Sequence, residues 1–122
     1  MTSTDAFFDK LSAMGYNARL GKVSGSVRID IRGDGGLRQW RIDIDRGHLR
    51  VSRDGGPASA VITCSERTAE AMVTGGMNGL AAINRGEILV DGELALALQL
   101  GRLFPARAQA GARARRPDGG AR

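Results

Sequence analysis

Apolar and polar residues recur with two different periods in the first half of this chain. From Thr4 onward the apolar residues have helical spacing, which predicts a first helix capped by Thr4 with Asp5 in its first turn. From Ser26 the period changes to two. Apolar and charged residues then alternate in segments 26–32, 40–45 and 49–52, which predicts three strands, each with one face exposed to solvent. Because short Gly-containing turns join them, we expect an antiparallel meander.

The second half of the chain combines strand-like and helix-like runs. After a Gly-rich turn at 54–57, the pattern predicts a strand over 60–64, two short helices capped by Ser65 and Asn78, a strand over 87–91 and a last helix. Strands on either side of a helical crossover are most naturally parallel. The expected fold is therefore α+β, a two-layer sandwich with a mixed five-stranded sheet and helices on one face.

The last predicted helix is apolar on every side. Between Leu94 and Leu100 only Gln99 is polar. Such a helix must be buried all round or contact something apolar besides its own sheet. We expect one side to pack on the sheet and another to line a cavity, a lid or an oligomer interface.

The charge of the chain is concentrated at its C-terminal end. The net charge is +5, yet residues 1–101 contain 12 basic and 12 acidic residues. The remaining arginines face only Asp118; they are Arg102, Arg107, Arg113, Arg115, Arg116 and Arg122. We therefore predict a folded domain over 1–104 and a disordered Ala/Arg/Gly-rich basic tail over 105–122. The tail is expected to act as a solubilising segment, with weak contact to an anionic membrane surface as the alternative and nucleic-acid binding unlikely.

Reaction chemistry has little support in this sequence. His48 is the only histidine and Cys64 the only cysteine, so no metal site and no cofactor are expected. A Cys–His dyad is formally possible, but Cys64 falls on the inward face of its strand and suits a buried, unreactive thiol. Asp43 and Asp45 alternate with arginines and suit ordinary sheet surface. With no secretory signal and no long apolar run, a non-enzymatic cytoplasmic protein is expected.

A set of large apolar residues allows two interpretations. They either fill the core or form a deformable apolar site, since unbranched methionine adapts to irregular ligands. These residues are Trp40, Met72, Met77, Leu80, Ile83, Leu94 and Leu98.

The stretch from Gly75 to Leu100, GGMNGLAAINRGEILVDGELALALQL, resembles the sterol carrier protein type 2 domain. Gly86, Gly92 and the pair Thr74 and Gly75 stand at places matching that family, and the resemblance extends over about 5–103. It implies an apolar tunnel between sheet and helices that binds fatty acyl chains, acyl-CoA, phospholipids or sterols. The implied wall of that tunnel comprises Trp40, Ile42, Met72, Met77, Leu80, Ile83, Leu94, Leu98 and Leu103.

Two functions of different classes remain open. The first is a non-catalytic carrier that holds a fatty acyl chain or a sterol-like or polyketide-like molecule. The second is an accessory interaction or oligomerisation module that partners an enzyme through its apolar C-terminal helix, because the same family occurs inside larger bacterial enzymes. Whether the chain is a monomer or a dimer stays open.

Overall fold

The computed structural model describes residues 2–105, which form one sheet and a layer of helices. Four α-helices and five strands follow one another, with short 3₁₀ helices at Ala18–Leu20 and Gly101–Leu103. The helices are α1 (Ser3–Met14), α2 (Glu66–Val73), α3 (Gly79–Asn84) and α4 (Leu94–Leu100). The strands are β1 (Ser24–Gly33), β2 (Gly36–Asp45), β3 (His48–Ser52), β4 (Ala60–Ser65) and β5 (Ile88–Gly92).

The five strands form one mixed sheet in the order β3-β2-β1-β4-β5. The first three pair antiparallel, as the alternation and short turns predict, and β4 runs parallel to β1. The apolar side of each strand faces the helices, where Val27, Ile42 and Ala60 are fully buried. The predicted α+β fold with a mixed five-stranded sheet is confirmed.

The predicted parallel pairing across the helical crossover is wrong. Strands β4 and β5 are antiparallel, with Cys64 opposite Ile88 and Ala60 opposite Gly92. The connection consists of the two predicted short helices, separated by a turn at 74–78. This helical hairpin returns the chain to the end of β4 that it left, so β5 runs back alongside β4. The parallel pair is instead β1 and β4.

The connection from β3 to β4 crosses the outer face of the sheet. The sequence predicts only a turn at 54–57, but β4 lies beside β1, so the chain must pass two strands to reach it. Arg28 donates to the carbonyls of Gly55 and Gly56, and Arg41 donates to those of Gly56 and Pro57. These bonds hold the connection against the outer face and leave the other face to the helices.

The first helix begins two residues earlier than its sequence suggests. Thr2 is the N-cap, and Thr2 and Asp5 form a reciprocal capping box. Thr4, predicted as the cap, is instead buried in the first turn. Its backbone N–H and its hydroxyl both donate to Glu70 Oε2, at 2.9 and 2.7 Å. Thr4 is not the cap because it bonds to a carboxylate of the neighbouring helix α2, and this contact between helices cannot be read from the sequence of α1.

Replacing Glu70 with glutamine should reduce the pH dependence of stability. The side-chain and backbone hydrogen bonds from Thr4 lower the pKa of Glu70 below its ordinary value of 4.5. The carboxylate therefore stabilises the fold above that value, and the contribution disappears as the pH falls through the lower folded-state pKa. The expected loss of unfolding free energy at neutral pH is roughly 1–2 kcal/mol, the difference between hydrogen bonds to a charged group and to a neutral amide.

Urea unfolding at neutral and acidic pH measures the effect of Glu70→Gln. Glu66→Gln on the same helix is the control, because Glu66 makes only a 3.8 Å ionic contact with Arg38. Equal pH dependence in the wild type and in Glu70→Gln would contradict the assigned role of Glu70.

Apart from Pro105, the predicted basic tail lies outside the described residues. Among the described helices, none is long and apolar enough to cross a membrane.

Candidate apolar binding site

A cavity of about 280 Å³ lies between the sheet and the helices. Its floor is formed by inward-facing residues of the three strands at one side of the sheet. These are Ile29 and Ile31 of β1, Ile62 and Cys64 of β4, and Ile88 and Val90 of β5. The alternation of each strand places them on one face, and the antiparallel pairing of β4 with β5 puts Ile88 opposite Cys64.

The walls of the cavity come from all four helices and the C-terminal segment. α1 contributes Thr4 and Phe8, and α4 with the following turn contributes residues between Ala97 and Pro105. The residues from α2, α3 and the turn between them are Ala69, Met72, Val73, Met77, Asn78, Gly79, Leu80 and Ile83. Because the walls belong to separate short elements, the shape of the cavity depends on how these elements pack on the sheet.

The exposed residues that line the cavity lie on α3, on α4 and on the C-terminal segment that follows it. Leu80 on α3 is 57% exposed and Leu98 on α4 is 43% exposed, although both line the cavity. Deeper residues such as Phe8 and Ala97 are buried. The exposed edge of the cavity therefore includes leucines, while the interior is closed by the sheet.

The cavity wall contains few polar side chains, and two of them bond within the protein. The Thr4 hydroxyl donates to Glu70, and Asn78 caps α3 by accepting from the Ala81 N–H at 3.0 Å. Arg102 is exposed at the edge. No described side chain that lines the cavity has a buried polar atom without a partner. An occupant would therefore meet no buried side-chain polar atom that lacks a partner among the described residues, which favours an apolar ligand.

The single thiol lies in the floor of this cavity. Cys64 is buried as the alternation predicts, and burial raises its pKa to about 11. Very little thiolate is present at neutral pH, so the thiol is a poor nucleophile. His48 is on the edge strand β3, separated from β4 by two strands, with its ring 4.9 Å from that of Tyr16. The formally possible Cys–His dyad is therefore not assembled.

Five of the nine residues predicted for the tunnel wall line the cavity, and four lie elsewhere. The five are Met72, Met77, Leu80, Ile83 and Leu98. Trp40 and Ile42 are packed in the core on β2, one strand away from the cavity floor. Leu94 is exposed on α4 outside the cavity, and Leu103 lies in a second, more open depression beside α1.

Trp40 illustrates why a large inward residue does not necessarily reach the cavity. Its indole stacks on Phe8 with ring centroids 4.6 Å apart, and the guanidinium of Arg53 lies 4.1 Å from the indole centroid. Trp40 therefore supports Phe8, and Phe8 in turn lines the cavity.

Sequence reasoning did not assign several residues that line the cavity. Ile62 and Cys64 carried a usable signal, because the alternation of β4 already placed both on the inward face. Ala69 and Ala97 carried none, since a small side chain at a cavity wall looks like any helical alanine. Their small size leaves the space in which a ligand could lie.

A comparison with protein families gives a match that agrees with this geometry. The sequence model of the SCP-2 sterol transfer family matches residues 6–105. The chain belongs to this family. A comparison with curated protein sequences gave no match.

Solved structures of the SCP-2 family share the fold. The sterol carrier protein domain 2 of Helicoverpa armigera is 23% identical, covers 91% of this chain and 90% of its own, and has a TM-score of 0.68. Sterol Carrier Protein-2 from Aedes aegypti, solved in complex with palmitate, is 22% identical over 84% of this chain and 94% of its own, with a TM-score of 0.60. At this level of identity the likeness establishes the fold.

The same fold also occurs as part of a larger enzyme. The stereoselective inverting sec-alkylsulfatase Pisa1 from Pseudomonas sp. matches 84% of this chain with 16% identity and a TM-score of 0.67. Only 16% of the sulfatase chain is covered. A domain with this fold can therefore form part of a much longer enzyme chain.

Proposed function

We propose that this protein is a non-catalytic carrier that holds the apolar chain of a lipid-like molecule in the cavity between sheet and helices. The observation that carries the proposal is the cavity itself, which is lined almost entirely by apolar side chains and has the exposed Leu80 and Leu98 at its edge. Its volume of about 280 Å³ is near the lower end of the range of small-molecule pockets. The palmitate complex of the Aedes aegypti relative supports a fatty acyl chain as the first ligand to test.

The energetics of burial support an acyl chain in this site. Each methylene removed from water contributes about 0.8 kcal/mol, so a short enclosed segment already gives useful affinity. Met72 and Met77 lie on the α2–α3 side, where their flexible side chains can adapt to ligands of different shape. Sterol-like or polyketide-like molecules are the other ligand classes that this lining suits.

The proposal predicts that an acyl ligand shields Cys64. Native mass spectrometry of freshly purified full-length protein, followed by solvent extraction, identifies any bound molecule. Alkylation of Cys64 is then timed at mildly alkaline pH with and without palmitate. Because Cys64 is the only cysteine and lies in the cavity floor, bound palmitate should slow its alkylation several-fold. Palmitate that binds without changing this rate would place the ligand elsewhere and contradict the proposed site.

A second candidate function is an accessory module that partners an enzyme or a second copy of the chain. It is favoured by the exposed leucines of α4 and by the occurrence of this fold within the Pisa1 sulfatase. Sedimentation velocity over a wide concentration range tests the self-associating form. A dimer that dissociates on Leu94→Ser would support it, and a monomer at every concentration would exclude it.

A further inference from the structure

A group of aromatic rings lies between the cavity and the depression beside α1. Phe8 lines the cavity, the neighbouring Phe7 lines the depression, and their rings meet edge to face with centroids 5.5 Å apart. Phe104, from the segment after α4, stacks on Phe7 with centroids 4.7 Å apart and lines both spaces. We call Phe7, Phe8 and Phe104 the partition.

The two spaces are neighbours, because they share further wall residues. Val73, at the end of α2, lines both of them, as do Arg102 and Pro105 of the C-terminal segment. The depression also has apolar walls of its own, to which Leu11 and Leu103 contribute. Without the ring of Phe104, an apolar chain in the cavity could therefore continue into a second space that is also apolar in part.

Phe104 is the member of the partition whose side chain is least tied to the core. Phe8 is 2% exposed and stacks on Trp40, so its ring belongs to the core. Phe104 is only partly buried and stacks on Phe7. Its backbone N–H donates to the Gly101 carbonyl at 3.1 Å, a bond that does not depend on the side chain. A smaller residue at this position should leave the fold in place.

The volume of the cavity indicates how long a chain the partition leaves room for. A cavity of about 150 Å³ with aliphatic and aromatic walls is large enough to bind benzene. The cavity here has about 280 Å³, so on the same scale it encloses about eleven carbons, nearly twice as many as benzene has. Such a chain is that of dodecanoate, whose carboxylate would remain at the exposed edge because burial of an unpaired charge is costly.

We propose that the partition limits the enclosed part of the ligand to an apolar chain of about eleven carbons, and that Phe104 sets this limit. The inference rests on the proposed carrier function and narrows its ligand class to acyl chains up to the length of dodecanoate. Longer fatty acids still bind, but their additional methylenes remain outside the cavity. These methylenes add little affinity, because they are not removed from water.

A series of saturated fatty acids tests the limit. Octanoate, decanoate, dodecanoate, tetradecanoate and palmitate are titrated calorimetrically into the full-length protein, each below its micelle concentration. In the wild type, the affinity should rise about fourfold for each added methylene up to dodecanoate. From dodecanoate to palmitate it should change by less than about twofold in total, because the further methylenes stay in water.

Replacing Phe104 with alanine should extend the rise beyond dodecanoate. Palmitate should then bind at least about tenfold more tightly than dodecanoate, because its additional methylenes are at least half buried in the depression. The ratio of the two affinities within one variant is the quantity compared, so that a general loss of affinity cancels. Leu103→Ala is the matched control, since Leu103 is also partly buried but lines only the depression. It should keep the wild-type ratio.

Val73→Ala tests the same passage from the side of α2. Val73 is partly buried and lines both spaces, and its truncation removes fewer atoms than Phe104→Ala does. The ratio of palmitate to dodecanoate affinity should therefore rise in the same direction but by less. Thermal unfolding shows which variants are folded, and Val73→Ala decides the question if Phe104→Ala is not.

The possible results distinguish this inference from the carrier function. An affinity that continues to rise up to palmitate in the wild type would overturn the limit and leave the carrier function standing. If folded Phe104→Ala has the same ratio as Leu103→Ala, Phe104 does not set the limit. If no fatty acid of the series binds to the wild type, the carrier function itself is wrong.

Discussion

Replacing Ala97 with phenylalanine is expected to weaken acyl-chain binding about 100-fold while leaving the protein folded. Ala97 lies on α4, is buried and lines the cavity, so the added ring can enter space that a ligand would otherwise occupy. Displacing about four methylenes removes roughly 3 kcal/mol of binding free energy, which corresponds to a factor of about 100. Titration with a fluorescent fatty acid measures the affinity.

Ala95→Phe is the matched control for this substitution. Ala95 lies on the same helix and is exposed, and it does not line the cavity. The two variants therefore make the same chemical change on opposite sides of α4. Ala95→Phe should bind as the wild type does, and thermal unfolding should show that both variants remain folded. Equal affinity in the two variants would mean that the cavity is not the ligand site.

The comparison also separates the two candidate functions. A carrier should lose ligand when the cavity is filled at Ala97 and should keep it when Leu94 is changed. An interaction module that uses the exposed side of α4 should lose its association when Leu94 is changed and keep it when Ala97 is replaced, because Leu94 is exposed and Ala97 is buried.

Much of the fold could be predicted because each strand carries its own signal. The alternation in β1 and β2 identifies the inward residues Val27 and Ile42, and both are fully buried. The pairing of β4 with β5 could not be predicted in this way. Its direction depends on how the two predicted helices between the strands pack against each other, and Gly75 and Gly76 mark the interruption between them without fixing the angle of the return.

The site could be predicted only in part because a cavity is a property of the space between side chains. Large apolar residues can be read from the sequence, but whether they fill the core or border a space depends on their strand. Trp40 and Ile42 lie on β2 and fill the core, whereas Ile29 and Ile31 on the neighbouring β1 form the cavity floor. The alanines that leave the space open carry no signal at all.

Replacing Gly92 with alanine is expected to destabilise the fold by roughly 3 kcal/mol or more. Gly92 ends β5 with a φ of +95°, a conformation that costs an alanine about 1–2 kcal/mol. An added Cβ would also collide with the backbone carbonyl oxygen of Ser59. That oxygen cannot withdraw freely, because it accepts the Glu93 N–H at 3.0 Å where the chain turns from β5 into α4. Relief of such overpacking typically costs a further 1–3 kcal/mol.

Gly86→Ala provides the control, since it separates backbone strain from collision. Gly86 precedes β5 with a φ of +78°, but an added Cβ there would meet no atom within 4 Å. It should cost only the conformational penalty of about 1–2 kcal/mol. For a domain of this size, the midpoint temperature of thermal unfolding should then fall by roughly 10–25 °C in Gly92→Ala and by clearly less in Gly86→Ala. Equal shifts would show that the Ser59 carbonyl can move, and that the turn leading into α4 is not fixed by this close approach.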